Sequence, residues 1–503
     1  MSPTVLGIDL GTSSVKAVVA RLDGTVVAQA RGDYPVSNPQ PGWSETPASD
    51  WLDASAAAVR TAVAQAGSQP AAIGLSGQMH GVVLAAENGR AVRPAMLWSD
   101  SRAVDQIDEY NHLPERLLAR LANPLSPGMA GPLLAWLAVH DTAMYRSARW
   151  ALQPKDWLRA QLTGRFATEP SDASATLLYD VVGEAWDAEL LGALGLDAGK
   201  LPPILDRSVE PAGALTAEAA ARLGLRPGVP IAAGAADTAA AALGSQLTEP
   251  GTMQLTVGTG AQLVMPVAER PDPLPTRPVT HLYRAATDTG WYRMGAVLNG
   301  GLTLDWVRRA LGASWPELYA AAVVAPQADD PYFLPHLNGE RTPYLDPALR
   351  GAWTGLGPRH DRTHLLRAAL EGVAFAIRDA LDSLDSTGQI AHLRLAGGGT
   401  TDPAWRQMLA DILGRVLVPV DVPAASGLGA ALLGARAAGL TDRFPPGRAS
   451  TASGNGPRSH RHDLYHERHA AFRRKVRALR GSDSTPVGAY AGSAIHGAAS
   501  VNG

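Results

Sequence analysis

An α/β protein built from two related halves is the fold class this chain predicts, and three observations carry it. The run Val5-Leu6-Gly7-Ile8-Asp9-Leu10-Gly11-Thr12-Ser13-Ser14-Val15-Lys16 is an apolar strand, a tight Gly-Thr turn and a second apolar run, and the pattern returns as Leu255-Thr256-Val257-Gly258-Thr259-Gly260-Ala261-Gln262. Strand-like and helix-like segments alternate along most of the chain, as layered sheets with largely parallel strands require. The 503 residues exceed what one core supports, and two large domains accommodate them. A Gly-Thr turn between paired strands offers backbone N–H groups able to cradle a phosphate. One such hairpin per half suggests two domains facing each other across a nucleotide.

In chain order, residues 5–10 and 15–22 are strands around the first Gly-Thr turn, Asp23-Gly24 is a favoured hairpin turn, and 25–30 is a third strand. Residues 50–66 have helical spacing with Asp50 at the N-cap. A short buried strand at 71–75 ends in Ser76-Gly77-Gln78-Met79-His80-Gly81, and 133–140 and 156–162 read as helices, the second capped by Asp156. Arg226-Pro227-Gly228 turns into a strand at 229–233, after which Gly234-Ala235-Ala236-Asp237 opens an Ala-rich helix. Beyond the second hairpin, strand 392–396 runs into Gly397-Gly398-Gly399, helix 402–413 and strand 416–422 follow, and Ser426-Gly427-Leu428-Gly429 leads into a last Ala-rich helix. The Pro/Gly/Ser-rich stretch 445–457 reads as a linker. Residues 463–479 return to helical spacing with Leu464, Phe472, Val476 and Leu479 on one face. The division expected is 1–245 and 246–443 as the two domains, 444–480 as linker and closing helix, and 481–503 as a disordered tail of small polar residues.

Composition narrows the function. A chain 46% hydrophobic and 18% charged is ordinary for a globular protein, and a formal charge of −3 offers no electrostatic case for nucleic acid. The absence of cysteine excludes disulfides, thiolate nucleophiles and sulfur-ligated zinc. No basic and apolar leader precedes the first strand, and no run approaches the roughly twenty apolar residues of a membrane helix. A cytoplasmic protein with no membrane partner is expected.

Asp9 stands at a strand tip, where a carboxylate can hold Mg²⁺ or its water shell. Asp237 stands where a buried strand hands over to a helix, after small residues that let a ligand approach. The helix N-terminus favours its ionised form, and an ionised carboxylate in a cleft can accept a hydroxyl proton as that hydroxyl attacks a γ-phosphate. Position alone suits a helix cap better; the two phosphate hairpins favour the base. Gln78, Met79 and His80 end a strand, where ligands gather in α/β sheets, and Gln and His suit sugar hydroxyls; a polar loop with a core methionine is the plainer alternative. Gly397-Gly398-Gly399 reads either as a flat surface for adenosine or as a flexible turn, and lacks the spacing of a dinucleotide fold. His460, His462, His466 and His469 read as a solvated amphipathic helix rather than a metal site, with Arg461 and Arg468 opposing a cation.

Together these residues resemble the FGGY carbohydrate kinases, and within them the xylulokinase branch, on the actin-like (ribonuclease H-like) ATPase fold, with two α/β domains and a cleft between them. The resemblance extends to about Leu479. Its landmarks are the first hairpin, Gln78-Met79-His80-Gly81, Leu97-Trp98-Ser99-Asp100-Ser101-Arg102, Leu152-Gln153-Pro154-Lys155-Asp156-Trp157-Leu158, Ser171-Asp172-Ala173-Ser174, Asp237 with its helix, Leu337-Asn338-Gly339-Glu340-Arg341-Thr342-Pro343, Leu370-Glu371-Gly372-Val373, Ala396-Gly397-Gly398-Gly399 and the closing helix around Tyr465.

The resemblance implies a reaction, ATP plus D-xylulose giving ADP plus D-xylulose 5-phosphate, with ATP and Mg²⁺ required. It implies Asp237 as base at the C5 hydroxyl, Gln78, Met79 and His80 at the sugar, and Asp9 supporting Mg²⁺ and activity. Gly11, Thr12, Gly258 and Thr259 would meet phosphates, and Gly398 and Gly399 the adenosine. The first domain would then hold sugar and phosphates and the second the nucleotide; a homodimer is admitted but not required. Trp98, Asp100 and Arg102 either line the sugar pocket or brace it. Two positions depart from the family pattern: Thr238 stands where Asn usually follows the base, and Gly260 where the second hairpin usually has Ser. Rival readings are a sister kinase for another ketose, polyol or sugar acid, and an actin-like ATPase without a sugar. Glycerol kinases typically carry Arg-Glu at the Met79-His80 position, which argues against glycerol.

Overall fold

The computed structural model describes residues 3–287, 289–421, 423–445 and 454–482. Most of the expected linker and nearly all of the expected tail, from 483 onward, lie outside them. Two mixed sheets organise the chain. The first contains β1 (Thr4–Leu10), β2 (Ser14–Arg21), β3 (Val26–Asp33), β4 (Ala72–Gly77), β5 (Pro211–Ala214) and β6 (Pro230–Ala232), in the order β5-β6-β4-β1-β2-β3, with β7 (Ala235–Ala236) also paired to β4. The second contains β8 (Gln254–Val257), β9 (Ala261–Val267), β10 (His281–Arg284), β11 (Trp291–Val297), β12 (His392–Ala396) and β13 (Val416–Pro419), in the order β10-β11-β9-β8-β12-β13.

The repeated hairpin is therefore a repeat of topology. In the first sheet an antiparallel meander, β1-β2-β3, is continued from β1 by the parallel strands β4 and β6. In the second, β8, β9 and β11 form the meander, and β12 and β13 continue from β8 in parallel. In the first sheet the central strand is closed in on both faces, β1 being buried at every residue but Asp9, whereas in the second β8 alternates, with Gln254 and Thr256 half-buried on one face.

Helix α1 (Ala48–Ala66) buries Trp51, Val59 and Ala62 against β2 and β3. It begins two residues before Asp50, which lies in its first turn and is not the cap. Helix α2 (Pro154–Thr163) likewise begins ahead of the expected cap, Pro154 taking the first-turn place where its missing N–H costs nothing. Asp156 is wholly buried in ion pairs there. Helix α3 (Asp237–Gly244) leaves β7. In the second half α4 (Arg362–Leu384) is the core helix, and α5 (Pro403–Leu413) is capped by Asp402, whose side chain accepts from the N–H groups of Ala404 and Trp405.

Helix α6 (Ala425–Ala437) falls within the expected second domain by its place in the chain, yet it packs on β1 and β4 of the first sheet and crosses α3. Both contacts need backbone to touch backbone. A Cβ on Gly7 would lie 1.8 Å from Gly427 O, and one on Gly74 1.8 Å from Ala430 O. At the crossing, a Cβ on Gly244 would lie 1.9 Å from Ala425 O and one on Gly429 1.9 Å from Ala240 O. The joint between the halves is thus two helices meeting through glycines.

The closing helix α7 (Ser459–Ser482) buries Tyr465, Phe472 and Val476, but also Arg468 and His469. Those two are not solvated: Arg468 pairs with Glu371 at 2.6 Å, and His469 Nε2 lies 2.9 Å from Asp379 Oδ1. Among the described residues no group of three or more His, Cys, Asp or Glu is placed to hold a metal, and no helix is long and apolar enough to cross a membrane.

Candidate active site

Register brings the two singled-out carboxylates to one edge. Asp9 on β1 is opposite Ser76 on β4, which is opposite Ala235 on β7. Asp237 follows two residues on, so the carboxylates project from strand ends two inter-strand steps, about 10 Å, apart. Ser76 Oγ donates to Asp9 Oδ1 at 2.9 Å. Burial pushes the Asp9 pKa up, against the Ser76 hydrogen bond and the charge of Lys16.

Asp237 is the first residue of α3 and keeps one edge open while lying deep in protein. Burial first, then the charge of Asp9, raise its pKa to about 7, with hydrogen bonds from Thr238 opposing. The helix-terminus argument expects full ionisation at neutral pH. In a helix of eight residues the favourable dipole is outweighed by desolvation and a like charge. Thr238 Oγ1 donates to Asp237 Oδ1 at 3.1 Å and accepts from Gln262 Nε2, on β9, at 3.4 Å. The residue that departs from the family pattern thus ties the carboxylate to the other domain.

His80 adopts a left-handed backbone, φ 75°. Its Nδ1 is 2.7 Å from Ala175 O, and since a carbonyl only accepts, the proton is on Nδ1. Burial, with Arg341 nearby, lowers its pKa to about 4 against that hydrogen bond, so the ring is neutral and Nε2 is an acceptor. Around it stand Tyr283, whose ring centroid is 5.9 Å away, and Tyr292, whose hydroxyl is 4.0 Å from the sulfur of buried Met79. Arg341 lies over Trp98, 5.3 Å from the ring centroid. Tyr283, Tyr292 and Arg341 come from the second half and were not singled out from the sequence. The alternation of His281 and Tyr283 on one face of β10, and Arg341 within a quoted landmark, were the available signals.

Other singled-out residues brace these groups. Gln78 Nε2 donates to Gly11 O at 3.1 Å, which ties it to the first hairpin, and its Oε1 is buried without a partner. Trp98 Nε1 donates to Thr12 Oγ1 at 2.9 Å. Asp100 accepts from Ser44 N at 2.7 Å and pairs with Arg102, which also pairs with Glu45 at 2.7 Å and lies over Trp43. Of the three residues left open, Asp100 and Arg102 are buried supports.

In both hairpins the leading glycine spends its N–H within the turn, Gly11 on Ser14 O at 2.9 Å and Gly258 on Gly260 O at 2.8 Å. Donors for a phosphate there must come from the residues that follow. A Cβ on Gly260 would lie 2.5 Å from Val297 O, which accounts for glycine where the family usually has Ser.

Between α3 and the second sheet lies a cavity of about 590 Å³, within the range of small-molecule sites. Thr238 and Gln262 stand in its wall, and Gly397, Gly398, Thr400 and Thr401 form another side. Gln254 Oε1 and Arg406 Nε, from residues of that wall, are buried without partners. Gly399 packs on the end of β8, where a Cβ would lie 3.0 Å from Val257 O.

A duplicated meander, a nucleotide-sized cavity against the joint and an enclosed carboxylate at its edge define a two-domain phosphotransferase. Residues 4–244 match the FGGY family of carbohydrate kinases, N-terminal domain, and residues 253–438 match its C-terminal domain; the chain belongs to that family. It is similar to a xylulose kinase of Escherichia coli (strain K12), 34% identical over 486 residues, 94% of this chain and 99% of that protein. It is also similar to a glycerol kinase of Alkalilimnicola ehrlichii, 34% identical over 95% of this chain and 98% of that protein. Among solved structures, a "xyloylose kinase" from Brucella ovis superposes with a TM-score of 0.88 at 35% identity, covering 95% of this chain and 100% of that one.

Proposed function

We propose that this protein transfers the γ-phosphoryl group of ATP to the C5 hydroxyl of D-xylulose, giving ADP and D-xylulose 5-phosphate, with Asp237 as general base. The observation that carries this is the placement of Asp237: one side of α3 faces the 590 Å³ cavity, and the Asp237 end lies among Tyr283, Tyr292 and the Met79-His80 loop. A base with a pKa near the working pH balances the fraction ionised against proton-accepting strength. The xylulose kinases among the relatives support the choice of sugar.

In this reading His80 Nε2 accepts from a sugar hydroxyl, Met79 and Tyr292 form the apolar wall, and Arg341 closes the pocket from the second domain. Gln78 holds the first hairpin in place. Gly11, Thr12, Gly258 and Thr259 line the phosphates, and Gly398 and Gly399 the adenosine. Residues 1–245 serve sugar and phosphates and 246–443 the nucleotide, with α6 reaching back as the joint. Asp9 fits Mg²⁺ as a single carboxylate beside phosphate oxygens and water, the way this ion is usually held by kinases. Bound there, Mg²⁺ would supply charge neutralisation for the phosphates. A cytoplasmic location, where ATP is at hand, goes with this reading.

The glycerol kinase relative motivates the second reading, a polyol or other ketose as acceptor. ADP release measured across D-xylulose, D-ribulose, glycerol and gluconate decides it. D-xylulose should give the highest kcat/KM; a higher value for any other acceptor would replace the proposal.

A further inference from the structure

Beneath the strand that delivers Asp237 lies a cluster of charge shut off from water. Lys155, Asp156, Arg159, Glu169 and Asp172 are each 0% exposed. Lys155 Nζ is 2.7 Å from Asp156 Oδ1, 3.2 Å from Asp172 Oδ2 and 3.5 Å from Glu169 Oε1, and Arg159 Nη1 is 2.8 Å from Asp156 Oδ1. Burial pushes the Asp172 pKa well up, opposed by Lys155 and reinforced by Asp156 and Glu169. Two cationic side chains and three carboxyls thus share one interior. Removing one partner of such a cluster strands a charge in a dry interior, whereas apolar side chains of the same volume would often be as stable or more so. Stability alone does not call for this arrangement.

Its contacts with the backbone suggest what does. Lys155 Nζ donates to Ala233 O at 3.4 Å, and Arg159 donates to the same carbonyl. Glu169 Oε1 accepts from Ser171 Oγ at 2.7 Å, and Ser171 Oγ accepts the N–H of Ala236 at 2.9 Å. Glu169 Oε2 accepts from Ser208 Oγ at 2.6 Å, and Ser208 O accepts the N–H of Gly234 at 3.1 Å. Three backbone groups among the four residues before Asp237 are therefore anchored to the cluster. On its other side the Lys155 stem lies under Gly77, where a Cβ would be 3.0 Å from Lys155 Cβ, and Gly77 leads directly into Gln78-Met79-His80. One lysine underlies both the strand that carries the proposed base and the loop that meets the sugar.

We propose that Lys155, acting through the Ala233 carbonyl and the Glu169–Ser171 pair, is a positioning residue that holds Asp237 in register with the sugar loop. This rests on Asp237 being the base. Errors of about 1 Å in such registers cost on the order of a hundredfold in rate, so the effect belongs in kcat and not in nucleotide binding.

The test compares Lys155→Met, Ser171→Ala and the charge-balanced Lys155→Met/Glu169→Gln with the parent, reading kcat, KM for ATP and thermal midpoint. Lys155→Met should lower both kcat and midpoint. The double variant, which removes one charge of each sign, should regain most of the midpoint while its kcat stays at least tenfold below the parent. Ser171→Ala should lose threefold or more in kcat with the KM for ATP within twofold. Recovery of kcat together with the midpoint in the double variant would make Lys155 merely structural and overturn the proposal, as would a kcat for Ser171→Ala within threefold of the parent. If Lys155→Met does not fold, the other two variants still decide. A parent inactive on every sugar offered would overturn the function and this inference together, whereas an active parent with unaffected variants overturns the inference alone.

Discussion

Replacing Asp237 by Asn should stabilise the protein while sharply lowering turnover, and the stabilisation should depend on pH. Burial and Asp9 move this carboxyl from an ordinary 3.8 to about 7 in the folded state. The folded protein therefore binds this proton more tightly than the unfolded chain. Well below pH 4 both states are protonated and the aspartate costs nothing; as pH rises through 4 toward 7 the unfolded chain ionises freely while the folded protein resists, so stability is lost. About three pH units at 1.4 kcal/mol each give an upper bound of roughly 4 kcal/mol, fully developed above pH 7. The open edge of Asp237 admits solvent screening, and half of that, about 2 kcal/mol, is the expectation. For a domain of this size that is roughly 4–8 °C. Scanning calorimetry of Asp237→Asn and parent from pH 4 to 8, with chelator and no substrate, reads it directly. The two midpoints should lie closest together at pH 4 and diverge until about pH 7. Parallel curves, or an Asn variant less stable at pH 8, would refute the reasoning. The same variant should lose about 10²- to 10⁴-fold in kcat if Asp237 is the base.

His80→Ala should raise the KM for D-xylulose with the KM for ATP within twofold, in steady-state assays varying each substrate; the opposite pattern would move this loop to the nucleotide side. Thr238→Val keeps the shape but removes the hydroxyl between Asp237 and Gln262, and should cost about 1 kcal/mol, or roughly fivefold, in kcat. Thr238→Asn, whose amide can also donate to the carboxylate, should lose less. Gly244→Ala places a Cβ 1.9 Å from Ala425 O and should destabilise the fold by about 1–3 kcal/mol in a thermal or denaturant melt, whereas Gly251→Ala, with nothing near its Cβ position but φ of 82°, should cost about 1 kcal/mol.

What could be read from the sequence was local. The Gly-Thr turns, the small residues ahead of Asp237, the apolar runs of β1 and β4 and the alternation of β12 each specify their own conformation, and the parallel order then brings Asp9, Ser76 and Ala235 into register. Arg341 and Tyr283 could not be placed because they reach His80 only after the second sheet has formed and docked. Lys155-Asp156 and Arg159 look in a window of ten residues like the polar face of a solvated helix; what buries them is Glu169 and Asp172, supplied by the segment that follows. Asp237 stands at the strand-to-helix handover that the sequence predicts, but full ionisation is the wrong expectation for it, because depth of burial is a property of the assembled cleft.

The crossing of α3 and α6 also sets a timetable for synthesis. The first sheet is completed by a helix that is not made until residue 437, nearly two hundred residues after α3 has been translated. At about 5–20 residues per second that is a wait of roughly 10–40 s. Until then Gly7 and Gly74 present a bare backbone seam, flanked by Val5, Ala20 and Ala72, with no helix to cover it. Nascent chains halted before 425 should be cut by protease within the first half, and those halted well beyond 437 should resist. The N-terminal half is first in the chain but among the last parts of the molecule to be finished.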